Sequence, residues 1–131
     1  MNIKTKKIIN LGLTAVIGLI FIGSAISKLM GGEEATKMTQ DIGLSPSELT
    51  MVGIIELISV ILFIIPRTGI LGTLLLAAYM GGAIATHLTH GQSIIAPSII
   101  QALIWIVAII RFSELKIRLF NDQIPNTASH P

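Results

Sequence analysis

Four apolar stretches, at residues 8–29, 49–65, 69–88 and 94–112, leave this chain very few ways to fold. Crossing a hydrocarbon layer of about 30 Å takes around 20 helical residues, within a range of about 17–25, so each stretch is long enough. In lipid the backbone polar groups must be satisfied internally, which leaves helices or closed barrels. The stretches carry no period-two alternation, so they are read as helices. Composition agrees, with 52% of the 131 residues hydrophobic and only 12% charged. A soluble domain of that length has too much surface relative to its volume to hide so much apolar area. The expected fold is all-α: a polytopic membrane protein built as an antiparallel bundle of four transmembrane helices. Residues 1–120 form one domain, and residues 121–131 are a polar tail with two prolines that is expected to fray.

Charge orients the bundle. With four spans, both termini and the second connection share one side. That side collects Lys4, Lys6, Lys7, Arg67, Arg111, Lys116 and Arg118, whereas the other has only Lys28 and Lys37 against Glu33, Glu34 and Asp41. The positive-inside rule then puts both termini in the cytoplasm. Lys4, Lys6 and Lys7 before an apolar run ending in Gly23-Ser24-Ala25 superficially resemble a secretory signal. The run is longer than a signal core and continues unbroken from Ile26 to Met30, so the first span is expected to be retained.

The connections are partly legible. Ser45-Pro46-Ser47-Glu48 reads as a helix start, with Ser45 as N-cap, Pro46 at the first helical position and Glu48 closing a capping box. Pro66-Arg67-Thr68 reads as a tight cytoplasmic turn in which Thr68 caps the third span. Residues 31–44 form the longest connection. In the third span Thr73, Ala77, Gly81 and Ala85 recur every four residues, with Ala78, Gly82 and Thr86 on a neighbouring row. Small residues at that spacing let membrane helices approach closely, so the third span is expected to be the packing hub.

The function classes left open are few. A net charge of +2 and basic residues without interleaved aromatics give no nucleic-acid surface. With no cysteine there is no disulfide, thiolate metal site, iron–sulfur ligation or Cys-x-x-Cys redox pair. His87 and His90 are too small a set for a metal site, and no second buried histidine could complete a bis-histidine haem. No cofactor and no metal are therefore expected, nor any independent catalytic activity.

The polar residues within the spans carry the functional signal. Glu56 stands in Gly53-Ile54-Ile55-Glu56-Leu57-Ile58-Ser59, where an ionised carboxylate costs about 3 kcal/mol even on the lenient insertion scale. At about 1.5 Å per residue Glu56 lies about 12 Å below the outer end of its helix and Gln101 about 10 Å below its own. Lys28 and His87 close the outward-running spans. Lys28, Glu56, His87 and Gln101, one from each helix, thus fall in the same outer half and form the candidate ligand-binding set. The inner half offers only Trp105, and Tyr79 near mid-depth.

Each residue has an alternative. Glu56 is a proton carrier, a ligand group, the anionic partner of Lys28 in a register-fixing pair, or a protonated acid bonded to Ser59 or a backbone carbonyl. His87 meets a substrate or quinone carbonyl, or is wetted at the interface. Gln101 orients Glu56 through its amide, or packs between helices. Trp105 is read as core, and Arg67 and Arg111 as cytoplasmic boundary markers.

Several segments resemble one family. They are Phe21-Ile22-Gly23-Ser24-Ala25-Ile26-Ser27-Lys28-Leu29, Gly43-Leu44, Gly53-Ile54-Ile55-Glu56-Leu57 and Ile65-Pro66-Arg67-Thr68. The last is Ala78-Tyr79-Met80-Gly81-Gly82-Ala83-Ile84-Ala85-Thr86-His87-Leu88. Over residues 8–115 the chain resembles the DoxX-like small membrane proteins of bacteria. The resemblance implies an antiparallel four-helix bundle in the cytoplasmic (inner) membrane, with Lys28, Glu56, Arg67 and His87 at recurring polar positions. Some of the wider group look like membrane subunits of quinone-linked sulfur oxidoreductases. That implies an accessory protein that binds a quinone or another small apolar ligand, beside a membrane redox partner or in a stress-related assembly. The alternatives are a small proton-coupled transporter using Glu56, or a purely structural membrane anchor.

Overall fold

The computed structural model describes residues 2–120, which contain helices and no strand. The expectation for the tail at 121–131 lies outside the described residues. The order is α1 (Ile3–Met30), α2 (Glu33–Ile42), α3 (Pro46–Ile64), a 3-10 turn (Pro66–Thr68), α4 (Gly69–Thr89), α5 (Ile95–Arg111) and α6 (Ser113–Phe120). Helices α1, α3 and the turn-plus-α4 segment are each long and apolar enough to cross a membrane. Helix α5, of 17 residues, bends by 107° into α6 and supplies a fourth span if the bent pair is one. The chain is a multi-pass membrane protein with three or four spans.

Each long helix turns one stripe inward. On α1 the buried positions are Thr14, Ile17, Gly18, Phe21, Ala25 and Lys28, and on α3 they include Leu49, Gly53, Glu56, Val60 and Phe63. The steps of three and four residues keep one face of a helix on a neighbour. The opposite face of α3 shows Ile54, Ile55, Ile58 and Ile61 to the surroundings, which suits lipid. Two residues from each of α1, α3, α4 and α5 make the central cluster: Ile17 and Phe21, Val60 and Phe63, Leu76 and Met80, Ile104 and Val107.

The helix ends explain the turns. At α3 the Ser45 hydroxyl accepts from the Glu48 N–H at 3.3 Å and Glu48 Oε2 accepts from the Ser45 N–H at 2.8 Å, forming the expected capping box. Thr68 does not cap α4. Its hydroxyl instead donates to the Leu62 carbonyl at 2.8 Å, tying the turn back to the helix that precedes it. Arg111 does more than mark a boundary. Its guanidinium donates to the carbonyls of Phe63 and of Ile64 (2.7 Å for the latter), where the last turn of α3 leaves acceptors unmet.

One further expectation is corrected. The packing hub is α3, which lies between α1 and α4 and packs most extensively against both. Among the glycines of α4 only those of the first turn make close approaches: a Cβ at Gly72 would overlap the Phe63 backbone, and one at Gly69 the Phe112 ring. Gly81 and Gly82 face open space. Residues 31–44, the longest connection as expected, are mostly the helix α2. Ala35, Met38 and Ile42 give α2 an inward face, and Glu33 and Glu34 suit its positive N-terminal end. Gly31, Gly32 and Gly43, at φ of 71°, 99° and 70°, bracket it with backbone that other residues seldom adopt.

Candidate functional site

The α3 stripe places Glu56 between Gly53 and Val60, facing α1. Gly53 makes this possible, because a Cβ there would stand 3.1 Å from Lys28 Cβ and 3.2 Å from Leu29 Cγ. Helices α1 and α3 thus close tightly just where Lys28 and Glu56 meet. Lys28 Nζ donates to Glu56 Oε2 at 2.8 Å and to Ser24 Oγ, one turn back on its own helix, at 2.5 Å. The Tyr79 hydroxyl, from α4, donates to the same Glu56 Oε2 at 3.1 Å. Residue exposures of 1% for Glu56 and 9% for Lys28 make this a buried ion pair.

Such a pair persists in an apolar interior only when geometry and further hydrogen bonds offset the loss of hydration. Both are present here. Tyr79 is held by an edge-on contact with Phe21, with ring centroids 6.3 Å apart, and Lys28 Nζ lies 5.9 Å from the Tyr79 ring centre. Of the readings left open for Glu56, pairing with Lys28 is the one found. Ser59 takes no part, since its hydroxyl donates to the Ile55 carbonyl at 2.7 Å.

A cavity of about 660 Å³ opens above the pair, within the size range of small-molecule sites. Its floor is Ser24, Lys28, Glu56 and Tyr79, and Phe21, Val52, Met80 and Ile100 supply apolar wall. The Ala78–Gly82–Thr86 row, expected to pack against another helix, lines this space instead. Helix α2 contributes Met38, Asp41 and Ile42, and Gln92 Nε2 donates to the Asp41 carbonyl at 3.1 Å, fastening the end of α2 across the mouth. On the other side of the ion pair the central apolar cluster fills the interior.

His87 lines the cavity, with Nδ1 2.7 Å from the Ala83 carbonyl. His90 turns away, with Nδ1 2.9 Å from the Thr86 carbonyl and its ring beside Gly43. Among the described residues no three metal-ligating side chains come together. For Gln101 the second of its two readings, packing between helices, is the one found. Its amide donates to the Ala77 carbonyl at 3.1 Å rather than to Glu56, so it ties α5 to α4 and lies outside the cavity wall. The structure thus gathers Lys28, Glu56 and His87 and omits Gln101. The sequence reading missed Ser24 and Tyr79. A tyrosine hydroxyl at mid-depth in an apolar span needs a partner, and that requirement was the available signal for Tyr79. Trp105 is half-buried on α5 and is not part of the cavity wall.

A family model described as the DoxX-like family matches residues 12–110. No curated protein and no solved structure matches the chain. The match covers most of each of the four apolar helices and every residue of the cavity floor, and the chain belongs to the DoxX-like family.

Proposed function

We propose, from membership of the DoxX-like family, that this membrane protein binds a small, largely apolar molecule in the cavity above the Lys28–Glu56 pair. The observation that carries this reading is a mostly apolar space of about 660 Å³ that ends on a hydrogen-bonded ion pair. Ligand sites commonly combine an apolar lining with a few fixed polar groups. A ring with a polar edge and an alkyl tail, of the quinone type, suits that lining. Lys28, Glu56 and His87 form the binding set, joined by Tyr79 and Ser24. Having no cysteine for thiolate or iron–sulfur ligation, the chain is read as an accessory or ligand-holding subunit in the cytoplasmic membrane of a bacterium.

The finer topology belongs to the same reading. Helices α1, α3, α4 and α5 form an antiparallel four-span bundle in one domain with both termini in the cytoplasm, and α6 lies along the inner interface. The seven basic residues on that side support the orientation. The cavity then faces the outer leaflet, under α2. A purely structural anchor has one observation in its favour, the closed ion pair itself. The apolar cluster between the pair and the opposite end disfavours a proton path through the bundle.

The test is equilibrium binding of 2-octyl-1,4-benzoquinone and 2-octyl-1,4-hydroquinone to the protein in nanodiscs, comparing wild type with Gly82→Leu. No atom lies within 4 Å of a Cβ at Gly82, so the leucine grows into the cavity without pushing a helix. At least one compound should bind saturably at one site and lose tenfold or more in Gly82→Leu. Saturable binding by neither, or binding indifferent to the plug, refutes the reading.

A further inference from the structure

The cavity has unused hydrogen-bonding capacity, and its distribution is uneven. Both protein donors to Glu56 converge on one oxygen, Oε2. Glu56 Oε1 takes no hydrogen bond among the described residues, although Glu56 lines the cavity. That oxygen is not fully enclosed, so a charged acceptor there faces the cavity and takes its donor from whatever fills that space. At the wall, His87 Nδ1 lies 2.7 Å from the Ala83 carbonyl, which can only accept, so Nδ1 carries the proton. In the neutral ring Nε2 is then a second acceptor. The Tyr79 oxygen, having donated its proton, keeps a lone pair as a third.

On the donor side, Lys28 has spent two of its three N–H groups on Ser24 and Glu56. Its third N–H and the Ser24 hydroxyl proton remain, both on the α1 side of the floor. The two open ionic positions are thus an acceptor, Glu56 Oε1, and a donor, the third Lys28 N–H; a hydroxyl can meet both, whereas a carbonyl or ether oxygen can meet only the second. Charge narrows the class further. Lys28 and Glu56 cancel within the floor, a cationic head would be repelled by the Lys28 ammonium, and an anionic one meets Asp41 at the mouth.

Resting on the reading of this cavity as a ligand site, we infer that it selects an uncharged, hydroxyl-bearing head group over the matching carbonyl or ether. The hydroxyl donates to Glu56 Oε1, and a second donor on the far side of a ring, where present, is met by His87 Nε2. The selection is one of binding and needs no electron or proton transfer. A site that pairs a hydroxyl rejects the analogue that lacks it, because the carboxylate oxygen, covered by the bound ligand, is then left unmet.

Three compounds of one shape make the test: 2-octyl-1,4-hydroquinone, its dimethyl ether and 2-octyl-1,4-benzoquinone, titrated anaerobically into nanodisc protein. The hydroquinone is expected to bind at least tenfold more tightly than either of the others, with all binding weakened in Gly82→Leu. In Lys28→Met/Glu56→Gln, which removes the carboxylate without stranding a charge, the preference should fall to threefold or less. Equal affinity for all three, or tighter binding of the quinone or the ether, with Gly82→Leu still blocking, overturns the hydroxyl selection and leaves the cavity reading intact. A preference undiminished in the double variant also overturns it. Binding by none of the three removes the cavity reading and this inference with it.

Discussion

Removing the cation from the floor is the most informative single perturbation. Lys28→Met keeps much of the volume of the side chain but leaves Glu56 beside Tyr79 alone. Breaking one side of a buried pair typically costs about 3–5 kcal/mol. Glu56 is 1% exposed and would keep only the Tyr79 hydroxyl as a donor, so the upper part of that range applies. Lys28→Met/Glu56→Leu behaves differently. Replacing both ions by apolar groups is often neutral or stabilising, by about 1–4 kcal/mol. Against this, the Tyr79 hydroxyl loses its acceptor, at about 1–3 kcal/mol. The two effects nearly offset, so the double variant should lie close to wild type, within about 2 kcal/mol. A double-mutant cycle on reversible unfolding in mixed micelles then yields a coupling energy of about 3 kcal/mol or more, at the top of the range for residues in contact or in one network. Single variants that each cost under about 1 kcal/mol and simply add would refute the ion-pair account.

Other perturbations separate neighbouring claims. Tyr79→Phe removes one of two donors to Glu56 Oε2 and should cost about 1.5–3 kcal/mol, the value of a bond to a charged group, on the same unfolding assay. Gly72→Ala should be far more damaging than Gly81→Ala, since only the former drives a Cβ into the Phe63 backbone; thermal melts of both in detergent decide it. Arg111→Leu should destabilise the protein by about 2–4 kcal/mol, because two α3 carbonyls lose a charged donor, whereas Arg67→Leu should change stability by under about 0.5 kcal/mol.

Much of the architecture could be read from residue patterns because lipid makes hydrophobicity nearly equivalent to span. The four apolar stretches correspond to α1, α3, α4 and α5 with shifts of a few residues, and the Ser45–Glu48 box formed because its chemistry is local. Helix α2 was missed for the converse reason. Its sequence, Glu33 to Ile42, is polar enough to pass for a connection, and only the cavity beneath shows what Met38 and Ile42 cover. The site was half legible. The cost of an isolated Glu56 demanded a partner, and depth made Lys28 available. Side-chain direction was not available from depth alone, so Gln101 was grouped with Glu56 although it points to the Ala77 carbonyl. The small-residue row on α4 had two physical meanings, close helix contact or space for something else. Thr73, fully buried, shows the first, and Gly82, on the neighbouring row with open space before it, shows the second.

The central claim is that a ligand in the cavity touches the Glu56 carboxylate. Infrared difference spectroscopy of nanodisc protein, with and without 2-octyl-1,4-hydroquinone, addresses it directly, using Glu56→Gln to assign the carboxylate band. The account predicts a shift of that band on binding in wild type and none in Gly82→Leu. A carboxylate band unmoved at saturating ligand, or moved equally in the plugged variant, would contradict it.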